Sequence, residues 1–105
     1  MAVAAKKPKK PTDEAQALYQ AIVSLKSADE AASFLADLCT PGEVRALAER
    51  WHVARLLNEG ELSYREINAE TGVSTATVVR VARFLNEEDY GGYRLALGRL
   101  RKKKS

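Results

Sequence analysis

The stretch of residues 63–85, SYREINAETGVSTATVVRVARFL, decides the fold because it contains two helix starts separated by one turn. Ser63 with Glu66 three residues later is the pattern of a capping box, in which both side chains bond backbone N–H groups that a helix start leaves unpaired. Gly72 interrupts the helical spacing at a point where a residue without a side chain easily adopts a left-handed backbone. Because Ser74 offers a second N-cap, the stretch predicts two helices joined by a tight turn, a helix-turn-helix.

The second helix of this motif is predicted to have one buried face and one bare face. Val78, Val81 and Leu85 recur at helical spacing and predict the buried face. No acidic residue lies between Glu70 and Glu87, and small hydroxyl- or methyl-bearing side chains can approach base edges while arginines reach phosphates. The alternative is a pair of amphipathic helices in an ordinary bundle, without DNA contact. We predict contact with double-stranded DNA through Ser74, Thr75, Ala76, Thr77, Arg80 and Arg83.

Length, charge and cysteine content narrow the class of protein. The chain has 105 residues, a common size for one domain, and a formal net charge of +3 that favours anionic partners. Cys39 is the single cysteine, so no internal disulfide can form, and we expect a small buried side chain in a reducing compartment. No apolar run approaches the length that spans a membrane, and no apolar stretch follows the N-terminal lysines. We expect a cytoplasmic protein without a membrane partner.

Three further helices are predicted before the central stretch and one after it. The apolar faces of the first three are wider than one neighbouring helix would cover, which predicts a partner surface for a second copy of the chain. No stretch alternates with a period of two, so we expect an all-α fold without a sheet. The first helix is predicted to begin at Thr12 or Asp13 and to end near Lys26, and the second begins at the capping box SADE of residues 27–30. The third begins at the Thr40-Pro41-Gly42-Glu43 box and ends near Asn58, and the helix after the central stretch occupies residues 93–100.

The two ends of the chain are basic and low in apolar residues. Residues 1–11 hold Pro8, Pro11 and four lysines, so we predict a disordered tail. This tail is either a solvated segment or a basic arm that touches phosphates. Residues 101–105 are predicted to be a second basic tail, so that one folded domain covers residues 12–100.

Residues 35–93, LADLCTPGEVRALAERWHVARLLNEGELSYREINAETGVSTATVVRVARFLNEEDYGGY, resemble the Trp repressor superfamily, and in particular its YerC-like (YerC/YecD) branch. The most specific segments are LCTPGE, the pair Arg50-Trp51 with a Leu-Leu pair after it, SYREI, TGVSTATVVRV and GGY. The resemblance implies an all-helical, intertwined homodimer of about six helices per chain. It further implies a transcriptional regulator, most often a repressor, whose two reading heads meet successive major grooves about 34 Å apart at a roughly palindromic site.

The resemblance also assigns residues to the DNA contact. Asn68 stands where the Trp repressor has a lysine, so one cationic contact is expected to be weaker. Val79 stands where it has a threonine, so an apolar contact is expected to replace a hydrogen bond. We expect a sequence preference different from that of the tryptophan operator. The matching positions are Tyr64, Arg65 and Asn68 on the first helix of the motif, and Thr75, Ala76, Thr77 and Val79 on the second.

The same resemblance bears on whether tryptophan is an effector. In the Trp repressor two arginines hold tryptophan between the third helix and the recognition helix; Arg50 and Arg80 match them, and Thr40 matches a further pocket position. Val81 and Phe84 stand where the repressor has a glycine and a serine, and these larger side chains are expected to fill the space of an indole. We therefore expect that tryptophan is not a corepressor. Another small effector is left open, and a salt bridge is the alternative role for Arg50.

The sequence indicates neither catalysis nor metal binding. His52 has no second histidine or cysteine at ligand spacing, and we find no Gly-rich phosphate loop, no nucleophile triad and no isolated pair of buried acids. We predict that the protein is not an enzyme and needs no cofactor or metal. Two other functions compete with a DNA-binding regulator: a helical dimerisation module that has lost DNA binding, and the DNA-binding part of a transposase-like protein.

Overall fold

The computed structural model describes residues 12–104, and in this part of the chain it consists of six α-helices and no strand. The prediction of an all-helical fold with about six helices is therefore confirmed. The predicted basic tail of residues 1–11 lies outside the described residues. The described residues form two compact units, residues 12–46 and residues 47–104. The helices are α1 (Asp13–Val23), α2 (Ala28–Leu38), α3 (Pro41–Glu59), α4 (Tyr64–Thr71), α5 (Thr75–Asn86) and α6 (Gly92–Lys104).

Capping bonds explain where the helices begin. The Thr40 N–H donates to Glu43 Oε1 at 2.8 Å, and the Glu43 N–H donates to Thr40 Oγ1 at 3.1 Å, which confirms this predicted capping box. The box at the start of α4 is also complete. The box at the start of α2 differs: Ser27 Oγ accepts the Glu30 N–H as predicted, but Glu30 Oε1 accepts from the Lys26 N–H, one residue earlier than the usual partner.

The helix ends differ from the predictions in two places. The first helix ends at Val23 rather than near Lys26, because the Ser24 hydroxyl donates to the Ala21 carbonyl at 2.6 Å and closes the last turn. The last helix continues to Lys104, whereas the sequence predicts that it ends at Leu100. Arginine and lysine lose little side-chain freedom in a helix, and their charges suit its C-terminal end. The division into one domain and two tails stays a prediction.

The unit of residues 47–104 has a compact apolar core that fixes the helix-turn-helix. The core brings the second half of α3 together with α4, the turn and α5, and every member is at most 5% exposed. Trp51 packs against this core and its ring stacks on Tyr93 at a centroid distance of 6.4 Å. The core residues are Val53, Ala54, Ile67, Val73, Val78 and Val81.

The unit of residues 12–46 has a different character, because neither α1 nor α2 buries a single residue. The side chains of Tyr19, Val23 and Leu38 are 50%, 80% and 52% exposed, and Ile22 is 45% exposed. Helices of eleven residues with apolar stripes are held in folded proteins chiefly by packing of those stripes. These four apolar side chains are about half exposed or more in the unit of residues 12–46.

Replacing Gly72 or Gly98 with alanine distinguishes the energetic cost of backbone strain from the gain in helix propensity. Gly72 has a φ of +78°, and a Cβ added there would meet no atom within 4 Å, so the cost of Gly72→Ala is the left-handed backbone alone. We expect the free energy of unfolding to fall by about 1–2 kcal/mol. Gly98 lies inside α6, its φ is not positive, and a Cβ added there would also meet no atom within 4 Å. The variant Gly98→Ala should therefore raise the free energy of unfolding by about 1 kcal/mol. Urea unfolding of both variants measures the two changes in the free energy of unfolding, and changes of the same sign would contradict the prediction.

Candidate nucleic-acid interface

The turn between α4 and α5 is braced by side chains of the motif itself. Gly72 adopts the left-handed conformation with φ 78° and ψ 0°, as the sequence predicts. Thr71 Oγ1 donates to the Ile67 carbonyl at 2.7 Å and accepts the Val73 N–H at 3.0 Å. Asn68 Nδ2 donates to the Val73 carbonyl at 2.7 Å. These bonds satisfy backbone groups that the turn takes out of the helices, so the angle between α4 and α5 is fixed locally.

Asn68 therefore has a structural partner in addition to its predicted DNA contact. One hydrogen of its amide nitrogen is used in the bond to Val73, and the side chain is half-buried. Asparagine lacks the charge of the lysine that the resemblance places at this position in the Trp repressor. In this chain the residue shapes the turn, and its contact with a phosphate stays a prediction.

The start of α5 uses two hydroxyl groups for capping. Ser74 Oγ accepts the Thr77 N–H at 3.1 Å and donates to Thr77 Oγ1 at 3.0 Å. The Ser74 proton is thereby committed within the chain, whereas the Thr77 hydroxyl keeps its own proton for an outside acceptor. Both residues were predicted to touch DNA, and the structure gives them a first role in holding the helix end.

The outer face of α5 is exposed to solvent, and its inner face is buried. Thr75 and Ala76 are exposed, and Val79 is 50% exposed although its side chain is fully apolar. Tyr64, 45% exposed, and Arg65, also exposed, lie in the first turn of α4. The helix has no acidic residue in its first turn. The buried face consists of Val78, Val81, Ala82 and Leu85.

A cluster of cations and rings occupies the second half of α5. The Arg80 guanidinium carbon lies 4.4 Å from the centroid of the Phe84 ring, and the same ring stacks on Tyr90 at 6.0 Å with an angle of 12° between planes. Arg83 Nε donates to Glu88 Oε2 at 2.9 Å; the Arg83 side chain is 60% exposed and that of Glu88 only 7%. Both arginines are thus oriented by their own chain and remain on its surface.

The residues of the predicted effector pocket have definite positions. Val81 is fully buried in the core, and half-buried Phe84 carries the Arg80 guanidinium on its ring. Arg50 is half-buried on α3. Thr40 belongs to the unit of residues 12–46, where its hydroxyl oxygen is occupied by the capping bond to the Glu43 N–H. Arg80, which matches an arginine that holds tryptophan in the Trp repressor, lies with its guanidinium over the Phe84 ring.

Arg94 makes a structural contact that the sequence did not indicate. Its three guanidinium nitrogens donate to the Leu85 carbonyl at 3.2 Å, to Asn58 Oδ1 at 2.9 Å and to Asn86 Oδ1 at 2.7 Å. It thereby ties the ends of α3 and α5 to the beginning of α6. An arginine between Tyr93 and Leu95 carries no local signal for this role, because its partners are 36, 9 and 8 residues away.

The described part of the chain contains no group of three or more His, Cys, Asp or Glu side chains that could hold a metal ion. None of its helices combines the length and apolar character needed to span a bilayer.

Comparisons with known proteins agree with this geometry. Residues 13–101 match the model of the family described as "Trp repressor protein". The chain is 47% identical over 90 residues to YerC of Bacillus subtilis strain 168, which covers 84% of this chain and 83% of YerC. It is 39% identical over 75 residues to the Trp operon repressor homolog of Chlamydia trachomatis serovar L2, covering 68% and 80%. The crystal structure of a TrpR-like protein from Eubacterium eligens superposes with a TM-score of 0.78 at 44% identity, covering 85% and 90%.

Proposed function

Since this chain belongs to the Trp repressor family, in its YerC-like branch, we propose that it is a sequence-specific transcriptional regulator that acts as a homodimer and represses the genes it binds. The observation that carries the proposal is the bare outer face of α5, which is acid-free from the turn to Asn86 and begins at a well-capped helix end. A helix presented in this way fits the major groove, where base edges are most distinct. The arginines on the same helix remain at the surface, within reach of phosphates.

The homodimer is supported by the unit of residues 12–46. Neither α1 nor α2 has a fully buried residue, and the apolar side chains of Tyr19, Ile22, Val23 and Leu38 are 45% exposed or more. A second copy of the chain supplies a matching apolar surface by two-fold symmetry. Dimerisation also serves function, because two reading heads on one scaffold bind two half-sites about one helical turn apart.

We propose further that tryptophan is not the effector. Val81 is fully buried in the apolar core, and the Phe84 ring lies against the Arg80 guanidinium, so side chains of the chain itself fill both positions. The Phe84–Tyr90 stack and the Arg83–Glu88 pair hold the end of α5 through contacts within the chain. On this proposal the reading head is formed in the free protein, and the amount of protein sets occupancy of the operator.

Calorimetry with tryptophan tests this part of the proposal. We expect only the heat of dilution up to about 1 mM ligand, which corresponds to a binding free energy weaker than about −4 kcal/mol. The affinity for a selected operator should be the same with and without tryptophan, because ligand binding and DNA binding are linked only through a real ligand site. Saturable heat with a micromolar dissociation constant, together with tighter DNA binding, would contradict the proposal.

Selection from random duplex DNA tests the function itself. Full-length protein should enrich duplexes with two related half-sites in inverted orientation, with centres about 10 base pairs apart. Binding to the enriched duplex should weaken steeply as salt rises, since phosphate contacts release counterions. A duplex with scrambled half-sites is the matched control and should bind weakly. Enrichment of no sequence, with equal affinity for both duplexes, would leave the chain as a helical dimerisation module without specific DNA binding.

A further inference from the structure

We infer that α5 selects its operator through the 5-methyl groups of thymine, with Val79 as the specificity-determining side chain. The inference rests on the proposed function and adds what the reading helix recognises. It starts from the position of Val79, an apolar side chain that is 50% exposed, whereas Val78, Val81, Ala82 and Leu85 form the buried face of the same helix. The exposed half of the Val79 side chain is available to an outside group.

Val79 is the largest member of a continuous methyl-bearing surface. Ala76 precedes it by three residues and Thr75 by four, so the three side chains lie on the same side of α5. All three are exposed. We call Thr75, Ala76 and Val79 the methyl surface. It presents four methyl groups, two of them on Val79, and a single hydroxyl group on Thr75.

The polar groups around the methyl surface are engaged with the chain itself. The Ser74 hydroxyl donates to Thr77 Oγ1, and the Asn68 amide donates to the Val73 carbonyl. Farther along α5, the Arg80 guanidinium lies on the Phe84 ring. Ser74 and Asn68 each have a donor committed within the chain, whereas Arg80 keeps its N–H groups for phosphates. The first turns of α5 thus present mainly methyl groups toward a base edge, and discrimination between bases is assigned to the methyl surface.

Thymine is the base that such a surface selects. In the major groove thymine presents its 5-methyl group next to one acceptor, whereas cytosine presents an amino donor that an apolar side chain would leave unpaired. An apolar patch could also serve a protein partner. DNA is favoured because the patch lies on a helix without acidic residues up to Glu87, with exposed Arg65 on the neighbouring helix.

Deoxyuridine, which is thymine without its methyl group, provides the test. Each thymine of the selected operator is replaced singly by deoxyuridine, which keeps every hydrogen bond of the base pair. We expect one or two positions in each half-site at which full-length protein binds about fourfold more weakly, the effect of removing one buried methyl group. Thymines outside these positions serve as internal controls and should tolerate the replacement.

The variant Val79→Ala identifies the side chain responsible. Alanine favours the helix and Val79 is exposed, so the variant should keep its helix content by circular dichroism. At the position that Val79 meets, the fourfold effect of deoxyuridine should disappear in the variant, while positions met by Thr75 or Ala76 keep theirs. If no thymine is sensitive, or if the sensitivity is the same in both proteins, the inference is wrong although the function stands. If selection enriches no sequence, the proposed function fails and the inference with it.

Discussion

Thr75→Glu is expected to abolish specific DNA binding, lowering affinity for the selected operator by roughly a hundredfold or more. Thr75 is the first residue of α5, and its exposed side chain would carry the new carboxylate into the phosphate-lined groove. The repulsion acts twice in a dimer, once in each reading head. Fluorescence anisotropy with labelled operator measures the loss.

The same substitution should not harm folding, which makes its effect on DNA specific. The first turn of α5 has no acidic residue, and a carboxylate there interacts favourably with the helix dipole, by about 0.3–1 kcal/mol. We therefore expect unchanged helix content, unchanged oligomeric state and an equal or higher melting temperature. Thr75→Gln has nearly the same shape without the charge and is the matched control, with a loss of only a few-fold. If Thr75→Glu binds the operator as tightly as the unchanged protein, α5 is not the reading helix.

Arg83→Glu would also be expected to abolish binding, and the sequence alone makes it look like an equally good experiment. The structure shows why it is less specific. Arg83 is paired at 2.9 Å with Glu88, whose side chain is only 7% exposed. A glutamate at position 83 would face this carboxylate with little water to screen the repulsion. Loss of binding could then follow from a disturbed end of α5, so Thr75 is the better position.

The helix starts could be predicted from the sequence because capping is a local property. Ser63, Thr40 and Ser74 each bond a backbone group three residues away, and nothing distant is needed for that geometry. The left-handed turn at Gly72 is local in the same sense. The periodic spacing of apolar residues in α5 also identified its buried face correctly. Short-range rules therefore carry most of the fold.

The contacts that orient the arginines could not be predicted in this way. The three hydrogen bonds of Arg94 join the ends of two helices to a third, and the Phe84–Tyr90 stack depends on how the chain turns after α5. Neither has a sequence pattern, since many residues could fill the same positions. For the candidate site, the sequence predicted which side chains lie on the outer face. It did not predict that the Ser74 hydroxyl also donates to Thr77 Oγ1, or that the Asn68 amide donates to the Val73 carbonyl.

Ile22→Asp is expected to dissociate the proposed homodimer. Ile22 is 45% exposed on α1, a helix that buries no residue within the single chain. If a second copy covers this face, the substitution forfeits burial of the 45% of the side chain that is exposed, about 0.7–1.4 kcal/mol in each protomer, before the cost of desolvating the new carboxylate. Because the interface is two-fold, the effect counts twice, about 1.4–2.8 kcal/mol per dimer. The dissociation constant should rise at least roughly tenfold to a hundredfold.

Gln20→Asp controls for the effect of an aspartate near the end of α1. Position 20 is exposed and two residues from position 22, so it faces the opposite side of the helix while sharing the same unfavourable dipole and propensity terms. Sedimentation equilibrium over a range of concentrations should show Gln20→Asp as a dimer and Ile22→Asp as a monomer. The monomer should also lose operator affinity, because one reading head cannot engage both half-sites. A parent protein that sediments as a monomer at micromolar concentrations would refute the dimer, and with it the spacing of half-sites expected above.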